Sequence, residues 1–195
     1  MMSVADAFNK ALAFVSDSSP IGKRAWNVVL AAVRTGNLAV NTPHNEHGRT
    51  LLHCAAHVTV TQLLALGASP AQPDAYGFLP LHFAMRSLQK FRMLSAGGFL
   101  AHDTTGFTPL HLLAQEIMVA SPDADLMNVL QWMVEQPECA VNAENRIGFT
   151  ALDILGDMAE TADAREVVRT AMEQRTRWSS LRAAWIATVA VAVSG

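Results

Sequence analysis

The stretch that decides the fold is Asp103-Thr104-Thr105-Gly106-Phe107-Thr108-Pro109-Leu110-His111, which joins turn chemistry to the start of an apolar helix. Three other segments repeat its second half: GRTLLH at 48–53, GFLPLH at 77–82 and GFTALD at 148–153. Their glycines are Gly48, Gly77, Gly106 and Gly148, separated by steps of 29, 29 and 42 residues. A turn triplet precedes each one: Asn45-Glu46-His47, Asp74-Ala75-Tyr76, Asp103-Thr104-Thr105 and Asn145-Arg146-Ile147. Asn or Asp three residues before Gly suits a tight turn, because its short side chain bonds the backbone just ahead. A second marker, LGASP at 66–70 and AVNA at 140–143, falls near the end of two units.

Outward from these turns the sequence reads as helices. The glycines lead into LLHCAAH, PLHFAMR, PLHLLAQ and ALDILGD, where Ala55, Ala56 and Ala84 let neighbouring helices approach closely. A second helix is expected after the first, with Leu63, Leu64 and Leu66 in one unit and Val129, Leu130, Met133 and Val134 in another. Ser121-Pro122-Asp123 predicts a helix start with Ser121 as N-cap and acids at the positive end. Ser19-Pro20 predicts another start, and Gly36 its end. Val4, Ala7, Phe8, Leu12 and Val15 recur at helical spacing, which predicts an amphipathic N-terminal helix. Asp6 and Lys10 interrupt that stretch and no basic run precedes it, so it does not read as a secretory signal. The uncharged run from Ala183 to Gly195 is 13 residues long, against ~20 for a helix that spans hydrocarbon. It is expected to pack as a terminal helix, to lie on a membrane, or to begin a longer segment.

Composition narrows the class. The 195 residues are 51% hydrophobic and only 16% charged, the reverse of a disordered chain. A net charge of −3 gives no broad basic field for nucleic acid. One tyrosine and 7% aromatics give no stacking platform for single strands. Two cysteines, Cys54 and Cys139, cannot form a disulfide framework, which points to a reducing, cytoplasmic compartment.

The four motifs closely resemble the ankyrin repeat, whose period is about 33 and whose signature is Thr-Pro-Leu-His followed by alanine. The resemblance runs from Asn45 to about Arg177, and LAAVRTGN at 30–37 is similar to an N-terminal capping repeat. It implies an all-α solenoid of stacked helix pairs. The expected divisions are an N-terminal helix over 1–19, a capping repeat over 20–47, repeats over 48–76, 77–105, 106–147 and 148–178, and an apolar helix over 179–195. The 29-residue units are one helical turn short, a deficit expected around Val58–Thr61 and Leu88–Phe91. The third unit carries its extra residues around Ile117–Asp125. The fourth has Asp153 where the others have His53, His82 and His111, as end repeats often differ. The resemblance gives these histidines and Gly48, Gly77, Gly106 and Gly148 structural roles.

Other chemistry finds less support. His44, His47, His53 and His57 lie close together around Cys54, and His53 and His57 share a helical face, a usable zinc spacing. Recurrence of His53 at the same repeat position as His82 and His111 favours the structural role, so no metal is expected. No Gly-x-Ser-x-Gly elbow or phosphate-binding Gly-x-x-x-x-Gly-Lys occurs. Gly97-Gly98 reads as a helix end, and Cys54 as a small hydrophobe on a packed helix. The expectation is therefore a non-enzymatic protein without cofactor.

The resemblance implies that a partner protein is gripped by turn tips and first-helix faces. Residue by residue this selects Glu46, His47 and Arg49; Ala75, Tyr76 and Phe78; Thr104, Thr105 and Phe107; and Arg146, Ile147 and Phe149. On the first helices it selects His57, Arg86, Gln115, Glu116 and Asp157. The post-glycine column Arg49, Phe78, Phe107, Phe149 reads as an exposed aromatic ladder, with packing on neighbouring turns as the alternative. Arg165, Arg169, Arg175 and Arg177 read either as a solvated face or as a basic collar beside the apolar tail, and Trp178 and Trp185 suit both. The implied work is that of a monomeric adaptor or inhibitor. A membrane-associated ankyrin protein held by residues 179–195, and a bacterial effector acting on host proteins in the host cytosol, are the alternatives.

Overall fold

The computed structural model describes residues 20–55, 57–97, 102–120 and 122–193, and within them the chain is helical with no strand. The expected N-terminal helix over 1–19, Ser19, Ala56, Gly98 and Ser121 lie outside the described residues, as does the side chain of His57. The chain divides into two compact units, Met1–Pro109 and Leu110–Gly195.

In the first unit, α1 spans Pro20–Arg34. Proline at its first position needs no N–H partner and has φ already set for a helix. One face buries Ala25, Trp26, Val29 and Leu30. Gly36, at φ +75, reverses the chain, and the Asn37 N–H closes the helix end on the Ala32 carbonyl at 2.9 Å. Next come α2 (Leu51–Cys54), α3 (His57–Ala65), a 3-10 turn (Pro80–Phe83) and α4 (Leu88–Leu94). Helix α3 packs on α1 and α4, and α2 packs on the 3-10 turn. Leu51, Leu52, Val60, Leu63, Leu81, Phe91 and Leu94 are fully buried, each contributing roughly 1.5–3 kcal/mol relative to exposure.

The shortening of the 29-residue units falls elsewhere than expected. Val58–Thr61 and Leu88–Phe91 are helical. The first helix of each unit carries the deficit, with four residues at Leu51–Cys54 and a single 3-10 turn at Pro80–Phe83. Ala55 turns extended at φ −70, ψ 136, which leaves chain enough for the second helix to bury Val60 and Leu63, or Phe91 and Leu94.

Helix α5 (Pro109–Ala120) begins at the division and runs into the second unit, where α6 (Ala124–Glu135), α7 (Ala151–Leu155) and α8 (Ala162–Val193) follow. Leu110, Leu113, Ala114 and Ile117 form the buried stripe of α5, at the three-and-four spacing of one helical face. Asp123, and not Ser121, caps α6: it is extended, and its Oδ1 accepts the Leu126 N–H at 2.8 Å. Helix α8 packs on α6 and α7 through Ala164, Val168 and Ala171. A separate apolar helix over 179–195 was expected. Instead one helix of 32 residues continues through position 178, about 48 Å long at 1.5 Å per residue. No glycine or proline falls between Gly156 and Gly195 to break it.

The turn glycines provide a test. Gly77 sits at φ +87, and a Cβ there would lie 3.0 Å from the Asp103 Cα. Gly148 has a similar φ of +83 with nothing within 4 Å of such a Cβ. Both Ala variants suffer the left-handed backbone penalty of about 1–2 kcal/mol, and Gly77→Ala adds the collision. In chemical denaturation Gly77→Ala is expected to be the more destabilising by about 1 kcal/mol or more.

Candidate interaction surface

Each of the four turns is built around one side-chain oxygen. Asn45 Oδ1 accepts the N–H groups of His47 and Arg49 at 3.1 and 2.9 Å. Asp74 Oδ1 accepts those of Tyr76 and Phe78, both at 2.9 Å. Asp103 Oδ1 takes Thr105 and Phe107 at 2.8 and 2.9 Å, and Asn145 Oδ1 takes Ile147 and Phe149 at 3.1 and 3.0 Å. Gly48, Gly77, Gly106 and Gly148 each donate back to the carbonyl of that Asn or Asp at 3.0–3.1 Å. Within the first unit the turns are tied side by side, Ala75 N–H to the His47 carbonyl at 2.8 Å and Thr104 N–H to the Tyr76 carbonyl at 2.9 Å.

The motif histidines lock this arrangement. His53 Nδ1 accepts the Thr50 N–H at 3.0 Å, which leaves its proton on Nε2 to donate to the Phe78 carbonyl at 2.9 Å. His111 Nε2 donates likewise to the Phe149 carbonyl at 2.9 Å. His82 Nδ1 accepts the Leu79 N–H at 2.7 Å, but its buried Nε2 has no partner. Asp153 does half the task. Its Oδ2 accepts the Thr150 N–H and hydroxyl at 2.8 and 2.6 Å, and these bonds hold its carboxyl below the usual range.

The proposed contact residues separate into occupied and open ones. Arg49 is occupied: its Nε lies 3.4 Å from Asp74 Oδ2, and its guanidinium sits 4.4 Å from the centre of the Phe83 ring. Phe78 is half-buried, edge-on to Phe83 and to His82 at centroid distances of 6.1 and 5.6 Å. Phe107 is half-buried too. The uniformly exposed ladder is thus not formed, because the rings at 78 and 107 turn partly inward; Phe149, in the second unit, is 51% exposed. Open at the tips of the first unit are Glu46, Ala75, Tyr76, Thr104 and Thr105, with Tyr76 at 49% exposure leaning on the His47 ring at 5.8 Å. Arg86 is exposed beyond the 3-10 turn. In the second unit Gln115, Arg146, Ile147 and Asp157 are exposed and Glu116 is half-buried.

Phe83 was not singled out in the sequence. It follows the motif histidine, where the other units carry Cys54, Leu112 and Ile154, and its being the lone aromatic there was the available signal. Lys90 is also buried, its Nζ 3.4 Å from the Phe83 carbonyl, and burial lowers its pKa. Burial pushes the Cys54 thiol up, and that of Cys139 to about 11, so both stay protonated near neutrality and are poor nucleophiles. Among the described residues no group of three or more His, Cys, Asp or Glu is placed to hold a metal ion.

Comparison with known families agrees with the geometry of the first turn pair. The family model of the ankyrin repeat matches residues 47–75, which run from the first turn through α2 and α3 into the second turn. Ankyrin repeats generally mediate protein–protein interaction. No curated protein matches the chain.

A pH dependence follows from the histidines. Burial lowers the pKa of His53, and that of His82 to about 4 from 6.5. The unfolded chain therefore takes up protons first. The stabilisation is complete above pH ~6.5 and is lost as pH falls towards about 4. Wild type is expected to lose stability relative to His82→Gln across that window, at up to roughly 1.4 kcal/mol per pH unit, measured as denaturation midpoints between pH 7.5 and 4.

Proposed function

We propose that the chain is a four-repeat ankyrin solenoid serving as a non-catalytic protein-interaction module, an adaptor or inhibitor that positions or masks a partner. The observation that carries this reading is the turn chemistry. An Asn or Asp oxygen and a left-handed glycine recur in all four turns with the same hydrogen-bond partners. This architecture holds backbone rigidly while the side chains at the tips point outward, so little ordering entropy opposes binding. In the first unit the gripping residues are Tyr76, Thr104 and Thr105, with Arg86 beside them. Arg49 and Phe78 both contact Phe83, and Tyr76 leans on the His47 ring. Arg146, Ile147 and Phe149 offer a separate exposed set on the second unit. The raised thiols of Cys54 and Cys139, and the lack of an assembled acid, base and nucleophile set among the described residues, support the non-catalytic reading.

Partner identification with a photo-crosslinker at position 76, followed by titration with the purified partner, tests the proposal. Tyr76→Ala is expected to leave the unfolding free energy within about 0.5 kcal/mol and to weaken Kd about tenfold or more. Phe78→Ala is expected to destabilise the fold by about 1–3 kcal/mol, since its ring packs on Phe83 and His82. Partner affinity unchanged by Tyr76→Ala and by Thr104→Ala would remove the first-unit tips from the interface.

A further inference from the structure

We infer that the distal part of α8 docks on an anionic lipid surface. This goes beyond the protein-binding reading and rests on other residues.

Helix α8 is held to its unit up to Arg175. That guanidinium donates to the Val134 carbonyl at 3.1 Å and to the carbonyls of Gln136, Pro137 and Cys139, placing a cation at the negative end of α6. Beyond it the helix leaves the packed body. Every residue from 176 to 184 is exposed, Trp178 at 71% and Leu181 at 52%. Nine consecutive exposed residues take in every side of the helix.

Three observations select lipid as the occupant. The first is charge. From Thr176 to Gly195 there are two arginines, Arg177 and Arg182, and no acid, whereas residues 1–175 carry 12 basic and 17 acidic side chains. This cationic stretch of an acidic chain complements anionic headgroups. The second is the form of the apolarity. From Ala183 to Val193 the sequence AAWIATVAVAV carries no charge and a single hydroxyl, Thr188. The third concerns the hydroxyls. Thr176, Ser179 and Ser180 each donate to the carbonyl four residues earlier in their own helix, at 2.9–3.0 Å, so they need no outside partner in an apolar medium. Trp178 and Leu181 lie three positions apart on one face of α8, and Arg177 and Arg182 flank them. Tryptophans at headgroup depth, with arginines reaching outward to phosphate, make an interfacial anchor. Among the described residues no helix is long and apolar enough to cross a membrane, and the inference is of surface docking.

The test is flotation of the full chain with vesicles of phosphatidylcholine containing 30 mol% phosphatidylserine, and with pure phosphatidylcholine, at low salt. The chain is expected to float with the anionic vesicles at least tenfold more than with the neutral ones. Arg177→Gln/Arg182→Gln is expected to remove that preference, and Trp178→Ser/Trp185→Ser to abolish flotation. Positions 177, 178 and 182 are exposed, so an unchanged denaturation midpoint is the folding control for the first pair. Brominated lipid is expected to quench wild-type tryptophan fluorescence, a readout that needs no variant. The inference fails if wild type stays in the soluble fraction with both vesicles, or if neither pair changes flotation. It also fails if sedimentation equilibrium without lipid shows a dimer that Trp178→Ser/Trp185→Ser dissolves, which assigns the helix to a second copy. Tyr76→Ala is expected to float like wild type, so this result and the partner titration stand or fall separately.

Discussion

Everything in the turns depends on one acceptor taking two donors. An Asn or Asp oxygen receiving the N–H groups two and four residues ahead fixes the whole tip at once. The chain can then reverse only through a left-handed residue, which is why a glycine stands three positions on. The pattern uses the oxygen and is indifferent to its chemical host. At Asp74 the second carboxylate oxygen faces the Arg49 guanidinium at 3.4 Å, and at Asp103 the Thr105 hydroxyl adds a third donor at 2.7 Å. At Asn145 the unused Nδ2 is buried with no partner, a cost of about 1–3 kcal/mol that the turn tolerates. Charged and neutral hosts thus give one backbone shape.

The imidazole adds reach. Its two nitrogens lie on opposite sides of the ring, so a histidine in the first helical turn can accept a local N–H and still donate to a carbonyl 25 residues away, as His53 does with Phe78, or 38 residues away, as His111 does with Phe149. A carboxylate is too short for the second task. Asp153 therefore marks the motif that has no following turn to hold. The neighbourhood agrees, since the space beside Gly148 is open where Gly48 and Gly77 meet the next turn at 3.0 Å.

Much of this was legible in the sequence because it is local. Turn position and glycine conformation follow from residues within a few positions of each other, whereas the Nε2 bonds of His53 and His111 span 25 and 38 residues, and only the recurrence of the motif pointed to a structural role for these histidines. Exposure of the post-glycine rings was not legible. It depends on Phe83, which arrives from a 3-10 turn and offers Phe78 and Arg49 a surface to lie on. The division of helix between the two halves of a short unit was hidden for a similar reason: LLHCAAHVTVTQLLA has no glycine or proline to mark a break, and the break at Ala55 is set by which side chains find a neighbour to bury against. Ser121 and Asp123 are both good caps. The choice of Asp123 follows from its extended backbone, which presents Oδ1 to the Leu126 N–H.

Helix α8 shows how one cation can convert a surface helix into a rigid projection. The α6 helix ends at Gln136 with an extended residue and no glycine, so its last carbonyls need donors from elsewhere. Arg175 supplies them from α8, and in doing so fixes α8 to the end of α6 at the point where buried contacts stop. Sharp bends in helices arise at proline, glycine or an inserted polar group, and none of the first two occurs beyond Gly156 before the final residue. Serine and threonine hydroxyls bonded to their own helix bend it only slightly. A projection without a hinge transmits orientation: whatever holds Trp178 and Leu181 also sets the direction in which α6 and α7 face.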